Sequence, residues 1–199
     1  QQATAPCGDL MTLEPKAMMG KLEDSEIRCL DQGMRDAERM TVKNKISRVL
    51  MKDAFAKKDM HRWGFVAKRH LEEIDRSDPD LCYKYAKYLY EQSVDSMDES
   101  MRWADVALEN RTVWTSPHYE RNTLKLRGLK ARAAGREWQS LEEKKAGGQE
   151  VDPAKLQRWR TDTVTFAREW FEYSKAVGKP SDQALALCIS AAGTEDACR

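Results

Sequence analysis

Apolar positions recur along this chain at intervals of three and four, and no sustained β-branched alternation interrupts them. That periodicity predicts amphipathic helices throughout. It places them at 24–37, 42–57, 60–75, 79–92, 97–110, 117–134, 136–146, 153–177 and 181–192. The first 20 residues are the least regular. The cleanest stripe is Leu156, Trp159, Thr163, Phe166, Trp170, Tyr173 and Val177, which keeps one apolar face along the whole of 153–177. It reads as a long helix packing on the end of the domain. The alternative is a contact through which copies or subunits assemble, since exposed aromatics at this density are costly without a partner.

Helix ends are marked by local chemistry. Asp78-Pro79, Ser116-Pro117 and Asp152-Pro153 each put proline at the first helical position, where its missing N–H costs nothing. Ser96 to Glu99 has the spacing of a capping box, and Ser181 is a further cap. Stops are expected at Gly135, Gly147-Gly148, Gly178 and Gly193. The links are short, so consecutive helices should lie antiparallel.

Helix pairs in series invite a search for repeats. Leu71 and Leu108 are 37 residues apart, and each precedes a polar turn, a cap with proline, and an aromatic-rich helix. The run Leu124 to Trp138 resembles the tetratricopeptide repeat family: Gly128 is the small residue, Leu124 and Ala131 are core neighbours, Gly135 is the turn, and Trp138 is the second-helix aromatic. One unit earlier, Cys82, Tyr85, Ala86 and Leu89 fill the same places. The resemblance implies an all-α, TPR-like α-solenoid of antiparallel helical hairpins with a long C-terminal capping helix. The segments are then an extension over 1–40, hairpins over 41–148 and capping helices over 149–199. It further implies a concave groove lined by Tyr83, Lys87 and Tyr90 from one unit and Asn122, Lys125, Leu129 and Arg132 from the next.

Composition narrows the function classes. With 34 basic and 33 acidic residues the net charge is +1, which gives no general drive toward nucleic acid or anionic membranes. No stretch is long and apolar enough to span a bilayer. The charge is nonetheless uneven. Arg121, Lys125, Arg127, Lys130, Arg132 and Arg136 lie within 16 residues that contain no acid. Arginine supplies bidentate contacts and tyrosine rigid amphipathic area, so the implied groove suits an acidic peptide, a C-terminal carboxylate or an acidic helix. The plain alternative is a solvated basic face; nucleic-acid binding is a further one.

Cysteines point to a compartment. Cys7 with Cys29 and Cys188 with Cys198 form two close pairs, one toward each end, and read as disulfide clips. Cys82 is left over on an apolar helix face and reads as a buried thiol. Two clips imply an oxidising compartment, periplasmic or secreted. A chain starting at Gln1 without methionine fits a product whose signal peptide has been removed.

Candidate chemistry is sparse. His61, His70 and His118 form no ligand pair with one another or with cysteine at helical spacing. His70 beside Leu71 reads as a core residue. A Cys82/His118 nucleophile pair has nothing to bring it together, and no phosphate-binding loop follows Gly147-Gly148. The expectation is a non-catalytic interaction scaffold without metal or cofactor, belonging to an envelope complex. The rivals are a structural subunit joined through the 153–177 stripe and an enzyme of unrecognised type.

Overall fold

The computed structural model describes residues 7–92 and 96–199. Gln1–Pro6, which bears on the compartment reading, lies outside the described residues. The fold is all-α. Nine helices are present among the described residues: α1 (Leu10–Met18), α2 (Asp24–Asp36), α3 (Met40–Ala56), α4 (Met60–Glu73), α5 (Pro79–Glu91), α6 (Asp98–Glu109), α7 (His118–Ala146), α8 (Pro153–Ala176) and α9 (Asp182–Ala192). Two compact units divide at Leu81/Cys82, inside α5. In each, helices pack chiefly on chain neighbours, as in helical-hairpin solenoids.

The first unit is organised on α3, against which α1, α2 and α4 pack. α1 corrects the expectation of an irregular start. Asp9 caps it by accepting from the Met11 amide at 2.9 Å, and Leu13 and Ala17 are buried one turn apart. The Cys7–Cys29 disulfide ties the residues before α1 to α2. Asp53 on α3 is fully buried and collects three donors: Lys57 Nζ at 2.9 Å, Arg62 Nη2 at 2.6 Å and the Leu22 amide at 3.1 Å. That carboxylate pins the α1–α2 link and α4 to one point of α3. Its burial pushes the Asp53 pKa up, but hydrogen bonds from Arg62, Lys57 and Leu22 outweigh this and hold it below the usual carboxylate value.

In the second unit α6 runs antiparallel to α7: Lys130 meets Asp105, and the Met97 amide donates to Glu137 at 2.7 Å. α8 runs antiparallel to α7, and α9 to α8 through Arg160, which donates to the Ala191 carbonyl. The break expected at Gly135 does not occur, and α7 continues for 29 residues. A glycine inside a helix costs only about 1 kcal/mol against alanine. Here the missing side chain gives room to Leu187, which would lie 3.1 Å from a Cβ, and to Thr163. Gly135 is therefore a packing position, and the hairpin in this region is α7–α8. Gly128 does the same for Trp170, whose Cε2 would lie 3.0 Å from a Cβ there.

Caps divide along similar lines. Asp78, Asp152 and Ser181 accept from the amides of the helices they open. Ser96 also serves the start of its helix: its hydroxyl accepts from the Asp98 amide at 3.2 Å and donates to the Asp98 carboxylate, and the Met97 amide is taken by Glu137. Ser116 donates instead to Glu120, and α7 begins at His118. Gly147-Gly148, Gly178 and Gly193 fall at helix ends as expected, the last three with φ of 80°, 72° and 83°. Cys188–Cys198 fastens the C-terminal residues to α9.

Candidate binding face

The acid-free basic stretch lies wholly on α7, which is packed on most sides. Thr123, Leu126, Leu129, Ala133 and Trp138 are buried. What remains open is a narrow strip on which Arg121, Lys125 and Arg132 are exposed. Spacings of four and seven bring these three to one side of the helix.

Neighbouring aromatics fix two of the basic groups at this strip. The Arg132 guanidinium lies over the Trp170 ring at 5.3 Å, on α8. Arg136, half-buried, lies over the Tyr90 ring at 3.8 Å and donates to the Tyr90 carbonyl on α5. α5 is antiparallel to α6, since Ser100 donates to the Ala86 carbonyl at 2.7 Å and Tyr85 meets Trp103 edge-on. It therefore runs parallel to α7. Lys87 is exposed and lies 3.6 Å from Glu91. No ion pair among the described residues involves Lys125 or Arg132, whereas Arg121 meets the His118 ring nitrogen at 2.6 Å.

The sequence-predicted groove residues therefore take different roles. Lys87, Lys125 and Arg132 are exposed, Tyr83, Tyr90 and Asn122 are half-buried, and Leu129 is in the core. Other members of the basic stretch turn inward. Lys130 is buried, paired with Asp105 at 2.6 Å and set over the Phe166 ring at 4.1 Å. Arg127 reaches Glu169 at 3.4 Å and lies over Tyr173. Sequence reasoning assigned Trp170 to a packing stripe and missed its second role, as the ring beneath Arg132.

A depression of about 720 Å³ opens elsewhere, along Arg127, Thr165, Arg168, Glu169 and Tyr173. The stripe on α8 is turned inward. Trp159, Thr163 and Trp170 are buried, and Leu156 and Phe166 pack on the same cores, which α7 and α9 share. Assembly through a solvent-facing aromatic stripe on this helix is thereby corrected.

His70 is a core residue. Its Nδ1 lies 2.6 Å from Ser47 Oγ, and the Ser47 hydroxyl also meets the Asn44 carbonyl at 2.9 Å. A serine has one proton. Given to Asn44, it leaves Nδ1–H to donate to Ser47 and Nε2 bare, and buried Nε2 has no partner. Burial, followed by the charge of Arg48, lowers the His70 pKa, consistent with that neutral ring. Both residues are fully buried, so Ser47 is no accessible nucleophile. Cys82 is buried outside both disulfides, while His118 is exposed at the start of α7. No described helix is long and apolar enough to cross a membrane. Set against known proteins, the chain matches no family model, no curated protein and no solved structure.

Proposed function

We propose that this chain is a non-catalytic protein-binding scaffold of an oxidising, extracytoplasmic compartment, and that the α5–α7–α8 face receives an acidic segment of a partner protein. The observation that carries this reading is the strip itself. Arg121, Lys125 and Arg132 are exposed on one helix with no carboxylate partner among the described residues, and Arg132 rests on the ring of Trp170. A guanidinium stacked on an aromatic face loses little further freedom when it binds. Tyr90 supports the same strip through Arg136, and the proposal extends the face to Lys87, Tyr83 and Asn122. The two disulfides support the compartment. A role in an envelope complex and TPR-like recognition belong to the same proposal.

The test compares proteins retained from an envelope extract by the wild-type chain and by Lys125→Glu/Arg132→Glu, at matched helical circular dichroism. A band held by the wild type and lost by the variant is expected. Identical retention by both would remove the face from the proposal.

A further inference from the structure

We infer that the segment recognised by this face is itself an α-helix, carrying acidic side chains at i, i+4 and i+11. The inference rests on the proposed reading of the face as an acidic-partner site, and it follows from spacing. At 1.5 Å per residue, Arg121 and Lys125 are about 6 Å apart along α7, and Lys125 and Arg132 about 10.5 Å apart. A helix laid alongside α7 in the same direction reproduces both gaps with the same residue intervals; laid in the opposite direction it would need i, i+7 and i+11. Four, seven and eleven residues are each close to a whole number of turns, so its three carboxylates share one face.

An extended segment cannot reproduce them. Its side chains return to one face every two residues, about 6.8 Å, and next at about 13.6 Å. The shorter gap on α7 suits that repeat. The longer one falls midway, where an extended chain points its side chain away. One gap or the other is satisfied, not both.

The surroundings agree with a helix. The strip is flanked by α5 on one side and α8 on the other, so its occupant is a rod lying between two rods. Its positive part runs from Arg121 to Arg136, about 22 Å or four turns. Beyond it the exposed residues on that side of α7 are Gln139 and Glu143. The acidic run of the partner is therefore expected to end within four turns.

The experiment titrates three fluorescein-labelled peptides of equal charge into the full-length chain at 0.15 M salt, read by anisotropy. The first is a hydrocarbon-stapled helix with Glu at i, i+4 and i+11. The second is a stapled helix with the same three glutamates dispersed around it. The third has the first sequence with two interior prolines, which keep it unfolded. The first is expected to bind at least tenfold tighter than either other. Lys125→Glu should weaken it at least tenfold at an unchanged melting curve, with Lys125→Glu/Arg132→Glu weaker still. Equal binding of the proline peptide would overturn the helix inference and leave the acidic-partner reading standing. Equal binding of the dispersed helix would overturn the spacing alone. No binding by any peptide would bring down both the inference and the reading beneath it.

Discussion

The two units solve the burial problem differently. The first places polar groups inside and ties them by hydrogen bonds: Asp53 takes three donors, and Ser47 meets His70 Nδ1, while His70 Nε2 stays without a partner. The second fills its interior by shape, with Gly128 and Gly135 admitting Trp170 and Leu187, and Trp159 fully buried. Several of its cations lie on rings, Arg132 and Arg136 toward the surface and Lys130 buried over Phe166. Stability in the first should therefore depend on charge state, and in the second on volume.

Asp53→Ala breaks the comparison hardest. It leaves Lys57 with only the Leu22 carbonyl and Arg62 with only Asp59, and removes the acceptor for the Leu22 amide, so the amides of α3 and α4 should lose about 3 kcal/mol or more of protection in hydrogen exchange while α7 and α8 keep theirs. Uniform loss would mean that the units do not respond separately. Next comes Cys188→Ser/Cys198→Ser, expected to cost about 3 kcal/mol on a loop-entropy basis, visible first as exposure of α9 to limited proteolysis. Gly128→Val, with its Cβ 3.0 Å from Trp170, should cost about 2 kcal/mol by overpacking, in urea unfolding followed by tryptophan fluorescence. A neutral result there would show that α7 and α8 can separate freely.

Acid sharpens the contrast with the gentlest perturbation. The Asp53 pKa is lowered on folding, so its contribution is complete above the unfolded carboxylate value of about 3.9 and is lost as pH falls through the folded one. The His70 pKa is lowered too, so below about 6.5 the unfolded chain binds a proton that the folded chain refuses. Stability of α3 and α4 should thus decline in two stages, the first starting near neutrality. His70→Gln should abolish the first stage and leave the second. A single acid transition in the wild type would count against the buried neutral ring.

What could be read in the sequence was local. The caps at Asp78, Asp152 and Ser181 act on amides two or three residues away, and the cysteine pairs close short loops. What could not be read came from distant residues. At the start of α6 Ser96 accepts from the Asp98 amide, but the Met97 amide is taken by Glu137, 40 residues on, which no local pattern announces. Gly135 has the chemistry of a stop, but Leu187 and Thr163 need its missing side chain. α1, which holds Pro15 in its interior, lies in the stretch that read as least regular, although Asp9 with Leu13 and Ala17 carried the signal. In the basic stretch, nothing local separates buried Lys130 from exposed Lys125; Asp105, across on α6, decides it.

The continuity of α7 through Gly135 has a mechanical side. Two short helices joined by a turn could pivot, and the distances between their cations would vary. One rod about 43 Å long, held by α5, α6, α8 and α9, is a fixed gauge. Whatever docks along it meets preset intervals, and the entropy of ordering falls on the incoming segment.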